Sequence, residues 1–501
     1  MKRLARTVLV IFGLTGDLSR RKLLPALFRL AKGGHLPEGF RILGVSRKGT
    51  TVDDIVTLMR ASLSSEIGPD GGDGEGERAL RRIASMLSIL DMNISEEGEY
   101  SLLARELDRA EDEAGYPINR LFYLAIPAKL FPKVMSRLGK ADINRHEKGV
   151  RECRFLIEKP FGDSLDSARE LIEGLERDFD ESQIFRIDHY LAKETAQNIL
   201  AFRFGNPLFS RAWNRHHVKA IMISANERIG IEGRAAFYEH MGAMRDLVQS
   251  HLLQVLALVT MRKPSEMTSE AIHAAKEELL SRLMPPEEGR MREETIRGQY
   301  RSYRDEVGNA QSLTETYAAA RFTIDLDEWK GVPILVRTGK MLTEKITEVN
   351  VVFGAEEGSA RGASDESNIL TIRLQPNEGI AVDLRIKKPG FDDGYEEVQL
   401  DYCYQDSDSS LPEAYERVLI DAMRGDQTLF ASDAEVLSCW KATMPILDAW
   451  KEEGFPLHVY DNGSNGPDAA DSLARESGVS WLTESHVVCP IRPRPRPSRR
   501  D

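Results

Sequence analysis

A chain of 501 residues with 41% hydrophobic residues has material for more than one core, and its formal net charge of −13 disfavours nucleic acid and anionic lipid as partners. Cys153, Cys403, Cys439 and Cys489 lie far apart with no C-x-x-C pair, which excludes a zinc knuckle or redox dithiol and points to free thiols in a reducing cytoplasm. No stretch approaches the ~18 apolar residues of a membrane span, and the basic start "MKRLARTVLVIFG" lacks the run and cleavage site of a leader, so the expectation is a cytoplasmic protein without membrane contact.

The first third alternates short apolar runs with helix-like stretches, as a doubly wound parallel sheet does. Its strands are predicted at Thr7–Phe12, Arg41–Ser46, Arg120–Ile126 and Glu152–Glu158. After the first comes Gly13, Leu14, Thr15, Gly16 and Asp17, then a helix with Leu23, Leu27 and Leu30 on one face and Pro25 delaying or kinking it. A glycine turn at a helix start is an anion site, yet G-x-x-G lacks the three-glycine fingerprint; taken alone, a dinucleotide cradle and a plain turn both remain open. The second strand ends in Ser46, Arg47 and Lys48 where an NAD enzyme usually carries an acid, so either a 2′-phosphate is bound there or these are solvated turn residues. The Gly/Asp-rich stretch Ser64–Glu77 reads as a surface insertion without chemistry.

Next comes "RIDHYLAKETAQN", Arg186 to Asn198. If helical, it places His189 and Lys193 on one face beside the Tyr190 hydroxyl, a donor set suited to a sugar phosphate; the alternative is a surface helix with scattered polar residues. The stretch Gly233–Val259 has a strongly apolar helical pattern containing His251. At about 100° per residue, Asp246 stands about 140° around that helix from His251. A base at His251 therefore needs a carboxylate from elsewhere, and otherwise His251 is a satisfied core residue.

A helical stretch is predicted near Thr268–Gln299, followed by closely spaced strands at Ala318–Leu326, Pro333–Thr338, Ile346–Phe353, Ile369–Gln375, Ile380–Ile386 and Glu397–Tyr402. These imply an α+β lobe built on a large, mainly antiparallel sheet. A helix in "LPEAYERVLIDAMRG" and a capping box at Ser432–Glu435 follow. From Asp461 the chain is expected to leave the fold, ending in the basic tail "PIRPRPRPSRRD". The expected organisation is a dinucleotide-binding domain over 1–187, an α+β substrate and oligomerisation domain over 188–460, and a flexible tail over 461–501. Triphosphate-loop, H-E-x-x-H and G-x-S-x-G signatures are absent from the sequence.

The segments "GLTGDLSRRKLLPAL", "EKPFG", "RIDHYLAKE", "RFGNPLFSRAWNR", "EGRAAFYEHMGAMRDLVQSHLLQ", "GVPILVRTGK" and "QPNEGI" occur in the order of the glucose-6-phosphate dehydrogenase family, which the chain resembles from Thr7 to about Trp450. The resemblance implies that His251 is the general base and Asp188 its carboxylate partner. It puts His189, Tyr190 and Lys193 on the sugar's phosphate, Glu227 and Asp246 on its hydroxyls, and Lys340 and Lys345 as positive charge closing the pocket. It further implies Gly13, Thr15, Gly16, Asp17, Leu18, Ser46 and Arg47 on NADP, with Lys159 between sugar and nicotinamide. NAD is the weaker alternative cofactor, and no metal is expected. The implied reaction oxidises C1 of glucose 6-phosphate to the 6-phospho-lactone, in a homodimer or homotetramer. Lys345 stands where some members carry Arg, and Ala128 and Phe131 where relatives often show Pro and Tyr. The rival readings are another sugar or sugar-phosphate oxidoreductase, which would not need the phosphate cluster if its sugar is neutral, and an inactive NADP-sensing protein, which would not need a base.

Overall fold

The computed structural model describes residues 4–482 and 489, apart from 48, 68–73, 148, 355–367, 392–393 and 405–410. They form two compact units. The first comprises Met1–Lys193, Pro264–Ala274 and Pro412–Leu437; the second comprises Glu194–Lys263, Ala275–Leu411 and Ser438–Asp501. Among the described residues no helix is long and apolar enough to cross a membrane.

In the first unit, β1 (Thr7–Phe12), β2 (Arg41–Ser46), β3 (Leu87–Asp91), β4 (Asn119–Leu124), β5 (Cys153–Glu158) and β6 (Ile184–Ile187) pair in parallel in the order β3-β2-β1-β4-β5-β6. The chain winds outward from β1 to β3 and then crosses to β4 on the other side, leaving a switch point between β1 and β4. Every residue of β1 is buried; Leu9 and Ile11 enter one apolar cluster, Val8, Val10 and Phe12 the other, so both faces of the sheet are covered. β16 (Phe430–Ala431) adds to β6 in antiparallel sense, and the Phe185 and Phe430 rings meet edge to face at 4.8 Å. The preceding helix, Ala414–Arg424, ends on left-handed Gly425 as its sequence predicts, and Arg154 donates to its last carbonyls, Ala422 O and Met423 O, at 3.0 Å. The capping box at Ser432–Glu435 is formed.

The second unit is built on β15 (Tyr395–Cys403), β14 (Gly379–Lys387), β13 (Ile369–Gln375), β12 (Ile346–Phe353), β7 (Val218–Asn226), β11 (Ile334–Gly339), β10 (Tyr317–Ile324), β9 (Thr295–Tyr300) and β17 (His458–Tyr460), adjacent in that order, with the short β8 (Leu283–Met284) against β10. The sheet is mainly antiparallel, with β7 beside β11 and β17 beside β9 in parallel. β9 corrects the helix expected to run to Gln299: helix Ser269–Leu280 stops earlier, and Arg297 sits inside the fold by donating to the carbonyls of Trp450, Phe455 and Pro456.

Four further expectations are corrected. The stretch 188–193 is a set of turns and the helix begins only at Glu194, so His189 and Lys193 do not share a helical face. The insertion Ser64–Glu77 is packed at both ends: Ile67 and Glu77 are buried, and Arg29 holds Glu66 in a two-pronged ion pair; its centre, 68–73, lies outside the described residues. Cys403 and Cys489 form a disulfide instead of free thiols, whereas Cys153 and Cys439 are buried and outside any disulfide.

The segment after Asp461 does not leave the fold. Helix Asp468–Glu476 packs Ala470, Leu473 and Ala474, with Trp481, into the cluster holding Tyr300, Tyr317 and Tyr460; Trp481 donates to Ala470 O at 2.9 Å and lies under the Arg337 guanidinium at 4.4 Å. The small residues of "DNGSNGPD" form a turn that returns the chain to the sheet. The basic stretch 490–501 lies outside the described residues. Each large apolar side chain buried here contributes about 2 kcal/mol or more. A chain ending after Tyr460 is therefore expected to melt many degrees lower than the full chain in a calorimetric scan; an unchanged melting temperature would contradict this packing.

Candidate functional site

In the first unit the chemistry-bearing residues follow the C-terminal ends of parallel strands. Phe12, the last residue of β1, pairs with Val45 of β2 and Leu124 of β4, so Gly13, Ser46 and Ala125 emerge side by side. Gly13 has φ +83°, and a Cβ there would lie 2.4 Å from Ala125 O; the turn therefore requires glycine and passes tightly over the switch point. Gly16 N–H and the Ser19 hydroxyl both donate to Gly13 O at 2.9 Å, which fixes the loop. An i→i+5 turn over Ser19–Leu23 precedes helix Leu24–Lys32, and this accommodates Pro25 at the start of a new helix. Thr15 and Asp17 are exposed, Leu18 is half-buried, and Asp17 pairs with Arg21 at 2.8 Å. Ser46 contacts Thr50 through its hydroxyl at 2.8 Å, and Arg47 is exposed beyond it; Lys48 lies outside the described residues. The glycine cradle at the β1/β4 switch point suits a dinucleotide pyrophosphate.

Lys159 is half-buried at the end of β5. Beside it the Glu158 carboxylate accepts from the Tyr123 hydroxyl at 2.5 Å and the Tyr415 hydroxyl at 3.1 Å. Burial pushes the Glu158 carboxyl above the usual range, opposed by the two hydroxyls and the Lys159 charge. Glu158 stands inside the "EKPFG" signature, where only Lys159 had an evident chemical role. After β6, Asp188 is buried and its Oδ1 accepts Tyr190 N–H at 2.8 Å, a local turn that orients both residues. Lys193 N–H reaches Tyr190 O at 3.3 Å, and the His189 and Tyr190 ring centroids are 4.9 Å apart. The backbones of His189, Tyr190 and Lys193 thus follow one another through a set of turns and not along a helix.

In the second unit the parallel register does the same work. Asn226 of β7 lies opposite Gly339 of β11, so the next residues, Glu227 and Lys340, are neighbours although 113 positions apart. They form an ion pair in which the Lys340 side chain is buried and Glu227 half-buried; the ammonium also lies 5.2 Å from the Tyr238 ring centre. Burial raises the Tyr238 phenol, helped by Asp246, Glu315 and Glu227 around it. Tyr238 had no signal in the sequence beyond its place in an apolar helical pattern. Lys345 is exposed just before β12.

The helix expected over Gly233–Val259 is broken. Gly242 has φ +66° and ψ 171°, Met244–Leu252 runs with i→i+5 bonding, and α-helix resumes over Leu253–Thr260. In an i→i+5 helix, residues five apart stand over one another as residues four apart do in an α-helix. Asp246 and His251 therefore share a face, which corrects the separation of about 140° expected from α-geometry. His251 is buried and Asp246 half-buried.

Residues 10–198 match the family model described as "Glucose-6-phosphate dehydrogenase, NAD binding domain", and residues 200–482 match "Glucose-6-phosphate dehydrogenase, C-terminal domain". The chain is similar to a glucose-6-phosphate 1-dehydrogenase of Gluconobacter oxydans (strain 621H), with 38% identity over 94% of this chain and 96% of that protein. A Mycobacterium tuberculosis relative, glucose-6-phosphate 1-dehydrogenase 2, is 37% identical over 96% of each. Among solved structures, a glucose-6-phosphate dehydrogenase in complex with its substrate glucose-6-phosphate aligns with a TM-score of 0.88 at 33% identity, over 96% of this chain and 100% of that one. The enzyme from Mycobacterium avium gives 0.80 at 33% identity, over 95% and 99%.

The cradle at Gly13 has a direct test. A non-glycine residue at positive φ costs about 1–2 kcal/mol before the contact with Ala125 O is counted. Gly13→Ala is expected to weaken dinucleotide binding by about tenfold or more while circular dichroism stays unchanged. Undiminished affinity in a calorimetric titration would remove the loop from the cofactor site.

Proposed function

The chain belongs to the glucose-6-phosphate dehydrogenase family, and from that premise we propose how its residues divide the work. The protein is an oxidoreductase that converts D-glucose 6-phosphate at C1 to 6-phospho-D-glucono-1,5-lactone with hydride transfer to a nicotinamide dinucleotide.

We infer that the dinucleotide is NADP, with NAD the poorer substrate. Arg47 would carry the 2′-phosphate with its planar fork, while Gly13, Thr15, Gly16, Asp17, Leu18 and Ser46 line the rest of the cofactor. Bound there, NADP supplies the hydride acceptor. His251 takes the proton of the C1 hydroxyl, with Asp188 orienting the ring and stabilising the imidazolium. His189, Tyr190 and Lys193 hold the phosphate as a cationic and hydroxyl donor set. Glu227 and Asp246 accept from sugar hydroxyls, Lys340 and Lys345 balance the pocket's charge, and Lys159 stands between sugar and nicotinamide.

The observation that carries this reading is the uninterrupted string Arg186–Glu194 in a chain similar to such a dehydrogenase over 94% of its length. The i→i+5 bonding of Met244–Leu252 adds support, because a base for one hydroxyl and an acceptor for another must face the same sugar ring. We also propose that a second copy covers the end of the sheet where Ile386, Leu400 and Tyr402 are exposed on β14 and β15. Equilibrium sedimentation is expected to give a multiple of the 56.3 kDa chain mass, and a single-chain mass at micromolar concentration would rule the assembly out.

The purified protein is expected to reduce NADP rapidly with glucose 6-phosphate and poorly with glucose. Arg47→Ala should lower kcat/KM for NADP by about 10- to 100-fold and leave that for NAD within about twofold. Equal losses with both cofactors would show that Arg47 does not read the 2′-phosphate.

A further inference from the structure

Glu315 lies outside every role assigned above. It stands two residues before β10 with its side chain buried. Because Gly242 leaves helical geometry, the N–H groups of Ala243 and Met244 begin a new helix and need acceptors from elsewhere. Glu315 supplies both: its carbonyl oxygen accepts from Ala243 N–H at 3.0 Å, and its carboxylate Oε1 accepts from Met244 N–H at 3.1 Å. The fit leaves no slack. A Cβ on Gly242 would lie 2.3 Å from Glu315 Oε1 and 2.6 Å from its Cδ, so glycine at 242 is the space the carboxylate occupies.

The neighbouring residue extends the arrangement. Thr316 O accepts Lys340 N–H at 3.0 Å, and the Tyr460 hydroxyl, 2.9 Å from Thr316 Oγ1, donates to Lys340 O at 2.7 Å. One dipeptide therefore anchors the start of the helix bearing Asp246 and His251 and the backbone of Lys340. The carboxylate also faces the positive end of that helix. Burial raises the Glu315 carboxyl, opposed by its own N–H, by Met244 N–H and by the charges of Arg245 and Arg297.

We propose that Glu315 is a positioning residue for the dehydrogenation: by capping Ala243 and Met244 it holds Met244–Leu252 in its i→i+5 register, and with Thr316 it keeps the Asp246 and His251 face at a fixed place relative to Lys340. Released from the cap, the segment relaxes toward α-helical bonding, which turns Asp246 about 140° away from His251. The proposal rests on the reading of His251 as the base, and its test separates the two.

The measurement is kcat and KM for glucose 6-phosphate in Glu315→Ala, Glu315→Gln and Glu315→Asp, each alone and combined with His251→Asn. His251→Asn alone is expected to lose about 10³-fold in kcat; a near-normal rate there would overturn the role of His251, whatever Glu315 does. With His251 present, Glu315→Ala should lose about 100-fold in kcat, the parameter compared between backgrounds, while NADP affinity stays within about twofold. In the His251→Asn background the same change should cost less than about threefold, because a base already removed cannot be misplaced. Glu315→Gln keeps the acceptor and should remain within about threefold of the parent. If Glu315→Ala does not fold, Glu315→Asp, whose shorter carboxylate does not reach Met244 N–H, takes its place in the comparison. Losses that are equal in the two backgrounds, full activity of the Ala and Asp variants, or a Gln variant as slow as the Ala variant would each overturn the proposal.

Discussion

Parallel pairing of strands that are distant in sequence is the constraint on which each unit depends. Two parallel neighbours end at the same edge, so the residues just beyond them are delivered to one place regardless of their separation along the chain. In the first unit this brings Gly13 and Ala125 together beyond β1 and β4. In the second it makes an ion pair of Glu227 and Lys340 beyond β7 and β11. The antiparallel strands around β7 and β11 supply breadth and burial, whereas the parallel pair supplies the juxtaposition.

Both units also break regular helix beside candidate site residues. An i→i+5 turn follows the Gly13 loop, and another carries Asp246 and His251. Such turns are less favourable than α-helix and persist where surrounding contacts impose them. Here the imposing contacts are identifiable: Gly16 N–H and the Ser19 hydroxyl on Gly13 O in one case, Glu315 on Ala243 and Met244 in the other. The glycines at 13 and 242 share a physical reason, since each combines positive φ with an oxygen where a Cβ would stand.

Strands such as Thr7–Phe12 and Ile346–Phe353 were legible because their apolar runs are bounded by turn residues. β7 and β9 were not. "VKAIMISAN" is buried almost throughout and has no clean alternation, and "TIRGQY" carries an arginine whose charge is satisfied by three carbonyls more than 150 residues away. Likewise "DNGSNGPD" signals a turn, and no local feature says whether the chain beyond it returns. It returns because Leu473 and Trp481 have an apolar cluster to enter.

By itself the sequence determined the two-part α/β and α+β architecture, the glycine turn after the first strand, and the residue types of the candidate site, because hydrophobic periodicity and turn chemistry are local properties. The family relation attached roles to those residues. Only the tertiary structure decided that 188–193 is a set of turns, that Cys403 pairs with Cys489, that Lys340 is held by Glu227, and that Asp246 and His251 share a face. The turns at 188–193 close on side-chain and backbone bonds within the stretch that hydrophobic periodicity does not register; the other outcomes depend on a partner far along the chain, or on a hydrogen-bond register, and these leave no trace in local spacing.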